Sequence, residues 1–263
     1  MGQNYYYLIS SLPALNFDEF NAVPVKELLA EISDNVRPQD LKRMNYLRRA
    51  RDLQNIRFHG EDWATLRELG NIAPEEFTNP EQEPELSEAW HTYMLSQKGE
   101  KPINIDALWL SYFAESNDLN SSFIDAWIHL DLALRTTLAV LRQEKQELSA
   151  EKTISEAVQQ DEQPLVQEII QNSRLSDFGI SYHYDWAGTI RELYNEKNPL
   201  EFELALDRIR WDFLDQWSAN RHFSSEVVLA YVIKLFICER WNRLDQQQAD
   251  KIIQSILGGT SGE

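Results

Sequence analysis

Ser224–Leu244, SSEVVLAYVIKLFICERWNRL, reads as a helix with very little outer face. Ser224 and Ser225 are residues that accept the first free N–H groups of a helix, and Glu226 places negative charge where the helix dipole favours it. Val228, Leu229, Val232, Leu235, Phe236 and Trp241 recur at three and four residues. Ala230, Ile233 and Ile237 widen that stripe until most of the circumference is apolar, the pattern of a helix packed on several sides. Towards its end Glu239, Arg240, Asn242 and Arg243 bring polar groups onto the same element. They read either as a core helix emerging into water or as a contact surface.

The order Val228-Leu229-Ala230-Tyr231-Val232-Ile233-Lys234, followed by Glu239, Asn242, Arg243 and Leu244, resembles the last long helix of the C-type subunit of V-type ATP synthases. Tyr5-Tyr6-Tyr7-Leu8-Ile9-Ser10-Ser11-Leu12-Pro13 resembles the opening of a bacterial family encoded beside V-type ATPase genes and considered similar to that C-type subunit. The resemblance covers both ends of the chain. It implies an all-α fold of related helical bundles in a funnel-like arrangement. It also implies a non-catalytic coupling subunit, sitting between the central-stalk subunits and the membrane proteolipid ring of a V-type ATPase, with no cofactor and no metal of its own.

Composition sets independent bounds. The 263 residues are 43% hydrophobic and 26% charged, a globular balance, and nine Gly with nine Pro argue against a sandwich or barrel of many short strands. The net charge of −18 disfavours a nucleic-acid binder, because only Lys42–Arg51 is locally basic. That stretch reads as the solvated face of an amphipathic helix, with Arg48, Arg49 and Arg51 pointing outward. Cys238 is alone in an apolar helix and reads as inert. The longest apolar run, Val227–Cys238, is interrupted by Lys234 and is too short to span a bilayer. With no signal-peptide pattern at the N-terminus, the expected location is cytoplasmic, peripheral to the membrane through partner subunits.

Elsewhere the helical period dominates. Tyr5–Ser11 is helical by the resemblance and ends before Pro13. Pro24–Ile32 is a short helix, and Pro38 opens a longer one to about Arg57, with Leu41, Met44, Leu47 and Ile56 inward. Glu61–Leu69 is helical and stopped by Gly70-Asn71. Residues 72–85 hold three prolines and a run of acids and read as an extended linker. Helices follow at Glu85–Gln97, at Ala107–Ser116 capped by Asp106, and from Ser121 or Ser122 to about Glu147. The last carries Phe123, Trp127, Leu130, Leu134, Leu138 and Leu141 on one side. Glu144–Gln163 is polar, expected to project or move. Leu165–Gln171 is helical, Ser173–Asp185 a loop broken by Gly179, and Trp186–Asn195 a helix that Asp185 can cap. Pro199–Trp217 aligns Phe202, Leu206, Ile209, Phe213 and Trp217. After the Ser224 helix, Gln246–Leu257 reads as a separate one, ended by Gly258-Gly259.

One domain is expected, divisible into three pseudo-repeats at about 1–70, 85–150 and 164–257. The repeat signal is an acid three residues before Asn on a helix, Asp52 with Asn55 and Glu239 with Asn242; Asp131 offers a weaker third copy. Acid and amide at that spacing share a helix face. Asp52, Asn55, Glu239, Asn242 and Arg243 are therefore the candidate partner-contact residues, with hydrogen bonding inside the bundles as the other reading.

Catalytic patterns are thin. A di-iron bundle needs two Glu-x-x-His pairs, and Glu88 to His91 is one; Asp125 and His129, four apart, add a second possible pair of ligands. His59, before Gly60, reads as a helix-end histidine. Ser181-Tyr182-His183-Tyr184-Asp185 holds the residue types of a triad, but triad members come from separate elements. No glycine-rich phosphate loop follows a strand, so nucleotide hydrolysis is not expected. The rivals to a coupling role are a helical adaptor of another assembly and a carboxylate/His metalloenzyme.

Overall fold

The computed structural model describes residues 5–19, 23–57, 69–72, 105–145, 164–196 and 198–258. The described residues are helical and contain no strand; an isolated bridge pairs Asn16 with Glu19. Numbered in chain order, the helices are α1 (Tyr6–Ser11), α2 (Val25–Asn35), α3 (Pro38–Arg57), α4 (Ile105–Glu115), α5 (Ser122–Lys145), α6 (Pro164–Gln171), α7 (Ala187–Asn195), α8 (Pro199–Ser218) and α9 (Ser225–Gly258). A 3₁₀ turn, Ser116–Leu119, follows α4. The all-α expectation holds.

These residues form two compact units, one built from 1–44 and 210–263, the other from 45–209. The division falls inside α3 and inside α8. The boundaries expected between pseudo-repeats lie almost wholly outside the described residues, as do the helices expected at 61–69 and 85–97, the linker from residue 73, and the polar stretch from 146 to 163.

In the first unit, α1 stops where Leu12 turns extended ahead of Pro13. α2 buries Val25, Leu28, Leu29 and Ile32, a single stripe at helical spacing, and packs on α9. α3 starts with Pro38 at its first position, where the missing N–H has no helical acceptor to lose. On α9 the apolar residues from Val228 to Trp241 are buried, nearly all round the helix. Ile237, Cys238 and Trp241 join Phe17 and Trp211 in one cluster, with Leu15 and Leu244 at its margin. The separate helix expected after Leu244 is instead a continuation of α9. No Gly or Pro stands between Leu244 and Gly258, so nothing in the backbone forces a break.

In the second unit α5 holds the central place. Its expected inner stripe is buried, Leu138 only partly, but so are Ile124, Ile128, Leu132, Ala133 and Val140 on other faces. The Ser121 hydroxyl accepts the Ile124 N–H, so Ser121 rather than Ser122 is its cap. α6 packs on α5 through Val166 and Ile169.

Three expectations are corrected. α4 begins at Ile105, which puts Asp106 within its first turn instead of at its cap. Trp186 takes the cap position of α7, while Asp185 is exposed and makes no cap bond. Arg48, Arg49 and Arg51 do not form a solvated face: Arg51 is buried, Arg48 grips backbone carbonyls, and Arg49 pairs with Glu115 on α4.

Candidate functional site

The polar groups singled out by spacing fall in two places, each inside one unit. In the first unit they lie along α9. Glu239 and Arg243 are one turn apart, with Arg243 Nε 3.7 Å from Glu239 Oε1. The other carboxylate oxygen, Oε2, is buried and has no hydrogen-bond partner in the fold. Asn242 and Arg243 are partly exposed, and each makes further interactions. Because α9 runs on to Gly258, these residues are not helix-end groups; they stand mid-helix, beside the Trp241 cluster. Cys238, one residue before Glu239, is fully buried, and burial pushes its thiol up to about 11, which keeps it protonated and unreactive.

The N-terminal stretch is fastened to the same unit at both of its ends. The Tyr5 N–H donates to the Phe223 carbonyl at 2.7 Å, and the Tyr231 hydroxyl on α9 donates to the Pro13 carbonyl at 2.9 Å. The Tyr5 hydroxyl donates to Asp40 Oδ2 at 2.6 Å and accepts from the Arg37 N–H at 3.2 Å. Arg43 closes on the other Asp40 oxygen at 2.9 Å. Burial and the Asp40 carboxylate both raise the Tyr5 phenol. Lys234 on α9 pairs with Asp215 near the end of α8 and lies 4.8 Å from the centre of the Trp211 ring. These ties hold α1, the end of α8 and α9 together.

In the second unit the focus is Asp52, on α3 and fully buried. Its Oδ2 accepts from the Asn71 N–H at 3.0 Å and from Asn71 Nδ2 at 3.2 Å; its Oδ1 accepts from the Ile72 N–H at 3.2 Å. Arg48, one turn earlier, donates to the carbonyls of Leu69 at 3.2 Å and Gly70 at 2.5 Å. Two side chains at i and i+4 therefore satisfy a four-residue turn from both polarities. Gly70 is obligatory for a steric reason: a Cβ there would overlap Asp52 Oδ1 and lie 2.8 Å from its Cγ. Burial pushes the Asp52 carboxyl up to about 7, against the opposing pull of the Asn71 and Ile72 amides and the Arg48 charge. Desolvation in turn lowers Arg48.

Of the five candidate contact residues, Asp52 thus belongs to an internal bond network. Asn55 lies on α3, and its side chain is outside the described residues. Asp131, the third acid of the repeat pattern, pairs with Arg135 at 2.6 Å, and that guanidinium lies 3.7 Å from the centre of the Trp109 ring. The three acids therefore have different surroundings. Composition gave no warning of the neighbouring Tyr46–Tyr112 pair, stacked at 4.5 Å with planes 4° apart; the Tyr46 hydroxyl donates to the Tyr112 carbonyl at 2.7 Å. Burial raises both phenols. The Arg48/Asp52 spacing followed by Gly70-Asn71 was the signal available for the turn.

The catalytic candidates do not assemble. The Ser181 hydroxyl donates to Asp177 at 2.6 Å, and its bond is to that acid and not to a histidine. The Tyr182 hydroxyl donates to Glu168 at 2.8 Å, while His183 and Asp185 are exposed. Among the described residues no three His, Cys, Asp or Glu side chains are grouped to hold a metal, Asp125 and His129 included. His59, Glu88 and His91 lie outside the described residues. No helix among the described residues is long and apolar enough to cross a membrane.

The chain matches, over residues 1–261, a family model described as "Protein of unknown function (DUF2764)". No curated protein and no solved structure matches it.

Proposed function

The chain belongs to the DUF2764 family, and we propose that it serves as a non-catalytic coupling subunit of a V-type ATPase, joining the central-stalk subunits to the membrane proteolipid ring. One observation supports this reading above the others. The two stretches that carry the resemblance to V-type ATP synthase components, Tyr5–Pro13 and Val228–Leu244, are far apart in sequence and lie in one unit, joined by the hydrogen bond from the Tyr231 hydroxyl to the Pro13 carbonyl. A coupling element has to carry load without slipping. α9 fits that task as an unbroken 34-residue helix, buried over its first half and tied to α8 and to the N-terminal stretch. The chain would work on the cytoplasmic side of the membrane, held there by its partners. On this reading a partner would meet α9 at Glu239, Asn242 and Arg243, which are partly exposed beside the Trp241 cluster.

The test is purification of the tagged full-length protein from gently solubilised membranes of its own cells, followed by mass spectrometry. Central-stalk and ring subunits recovered in fixed stoichiometry are the expected outcome. An intact ATPase in the same extract without this chain would end the coupling reading and favour an adaptor of another assembly.

A further inference from the structure

α1 gives the core of the first unit one buried side chain, Leu8, yet turns two aromatic rings to water. Tyr7 is 87% exposed and Tyr6 50%. Both rings are held in place. Tyr6 meets Tyr7 edge-on at 5.6 Å and leans on the Phe223 ring at 4.8 Å. Phe223 has a left-handed backbone, φ 61°, which a bulky side chain rarely adopts. In that conformation its carbonyl accepts the Tyr5 N–H and its ring supports Tyr6. The strain orders an exposed aromatic surface instead of a buried one.

Beside the rings stands the acidic face of α2. Ser11, one turn after Tyr7, donates to Glu31 Oε1 at 3.1 Å, and the Tyr5 hydroxyl accepts the Arg37 N–H just past the end of α2. α1 therefore runs antiparallel along the last turns of α2, and Tyr7 shares the side of Ser11 that meets those acids. Glu27, Glu31 and Asp34 follow one another at helical spacing and are all exposed. Among the described residues no Lys or Arg side chain pairs with them. The cations nearest in sequence are Lys26 and Arg37, and Arg37 lies 5.8 Å from the centre of the Tyr5 ring.

We propose that Tyr6, Tyr7 and Phe223, with the Glu27/Glu31/Asp34 face beside them, form a docking surface for a basic helical segment of another protein. Charge selects the occupant. A second copy of this chain would set acid against acid, and nucleic acid or an anionic lipid surface would be repelled in the same way. Lys or Arg at i, i+4 and i+7 of a helix matches the pitch of the three acids, and such cations also stack on exposed tyrosine faces. Apolar side chains on the adjoining stripe would lie against Tyr6 and Phe223. The surface shares no residue with Glu239, Asn242 and Arg243, and it does not depend on the coupling reading.

The probe is a fluorescent amphipathic peptide of about 15 residues, with Arg at that spacing and Leu on the adjoining stripe, titrated into the intact protein. Binding should weaken about tenfold in Glu27→Lys/Glu31→Lys/Asp34→Lys and about fivefold in Tyr6→Ser/Tyr7→Ser, with each variant melting as the wild type does. The same change of charge on other exposed acids, Glu192→Lys/Glu196→Lys/Glu201→Lys, should leave affinity within about twofold. Equal weakening by the two triple variants overturns the proposal, because net charge alone would then hold the peptide. So does unchanged affinity without the two tyrosines, or no binding at all. A free chain that sediments as a dimer, and as a monomer with Tyr6→Ser/Tyr7→Ser, also overturns it by giving the surface to a second copy. If a variant does not fold, amide shifts of the wild type decide: changes confined to α1, α2 and Phe223 are expected, and changes spread over acids of both units reject the surface.

Discussion

Asp52 has no exposed surface, and its carboxylate meets two backbone N–H groups and one side-chain amide of a single turn. Truncation to Ala leaves both N–H groups without their acceptor; Asn71 is exposed and can turn to water, while Ile72 is buried, and a buried donor that finds no substitute costs about 1–3 kcal/mol. Asp52→Ala should therefore lower stability by roughly 1–3 kcal/mol in a denaturant melt. Gly70→Ala should cost about 1–3 kcal/mol by overpacking against the carboxylate. The two should be strongly non-additive, because removing the carboxylate also removes what the new methyl group strikes. A double-mutant cycle with no coupling would mean that Gly70 is required for some other reason. Spacing alone put Asp52 and Glu239 in the same class. Their surroundings separate them, since one is bonded by a distant turn and the other by Arg243 on its own helix.

At the scale of the element, α9 was legible as a buried helix because its period needs only itself. Its length was not. The polar turn after Trp241 and the run Gln246-Gln247-Gln248 look like an exit into solvent, but helical hydrogen bonds are local and nothing there interrupts them. Asp245→Pro distinguishes one helix from two. In a continuous helix the ring removes a hydrogen bond and strikes the Trp241 carbonyl, so a loss of about 3 kcal/mol and of helical circular dichroism is expected. A variant as stable as the wild type would place a break there. α5 carries the complementary lesson. Its stripe from Phe123 to Leu141 is legible from spacing, but Ile124, Ile128 and Leu132 are also buried because neighbours cover the helix on other sides.

Across the whole molecule, 43 acidic residues face 25 basic ones, and the excess repels itself in the folded state. Raising the ionic strength from about 0.01 M to about 0.15 M shortens the screening length from about 30 Å to about 8 Å. The melting temperature should rise across that range at constant pH. A fall would mean that ion pairs such as Arg49–Glu115 and Arg191–Glu144 outweigh the repulsion. The organisation into two units was not legible. The division runs inside α3 and α8, where the helical pattern is unbroken, and a packing boundary leaves no mark on a local period.

The helical character of the described segments was determined by the sequence itself, although many of their ends lie one to three residues from where spacing puts them and α9 runs on to Gly258. Capping residues, prolines and apolar spacing act within one or two turns, so the information sits beside the structure it specifies. Tertiary structure alone decided which polar side chains are internal. Arg48, Arg49 and Arg51 look like a solvated face by spacing, yet one finds the carbonyls of Leu69 and Gly70, one finds Glu115, and one is buried. The joining of Tyr5 to Phe223 and of Pro13 to Tyr231 was likewise out of reach of any local rule. A buried polar group must find a partner, but the rule that it must does not say where along the chain the partner lies.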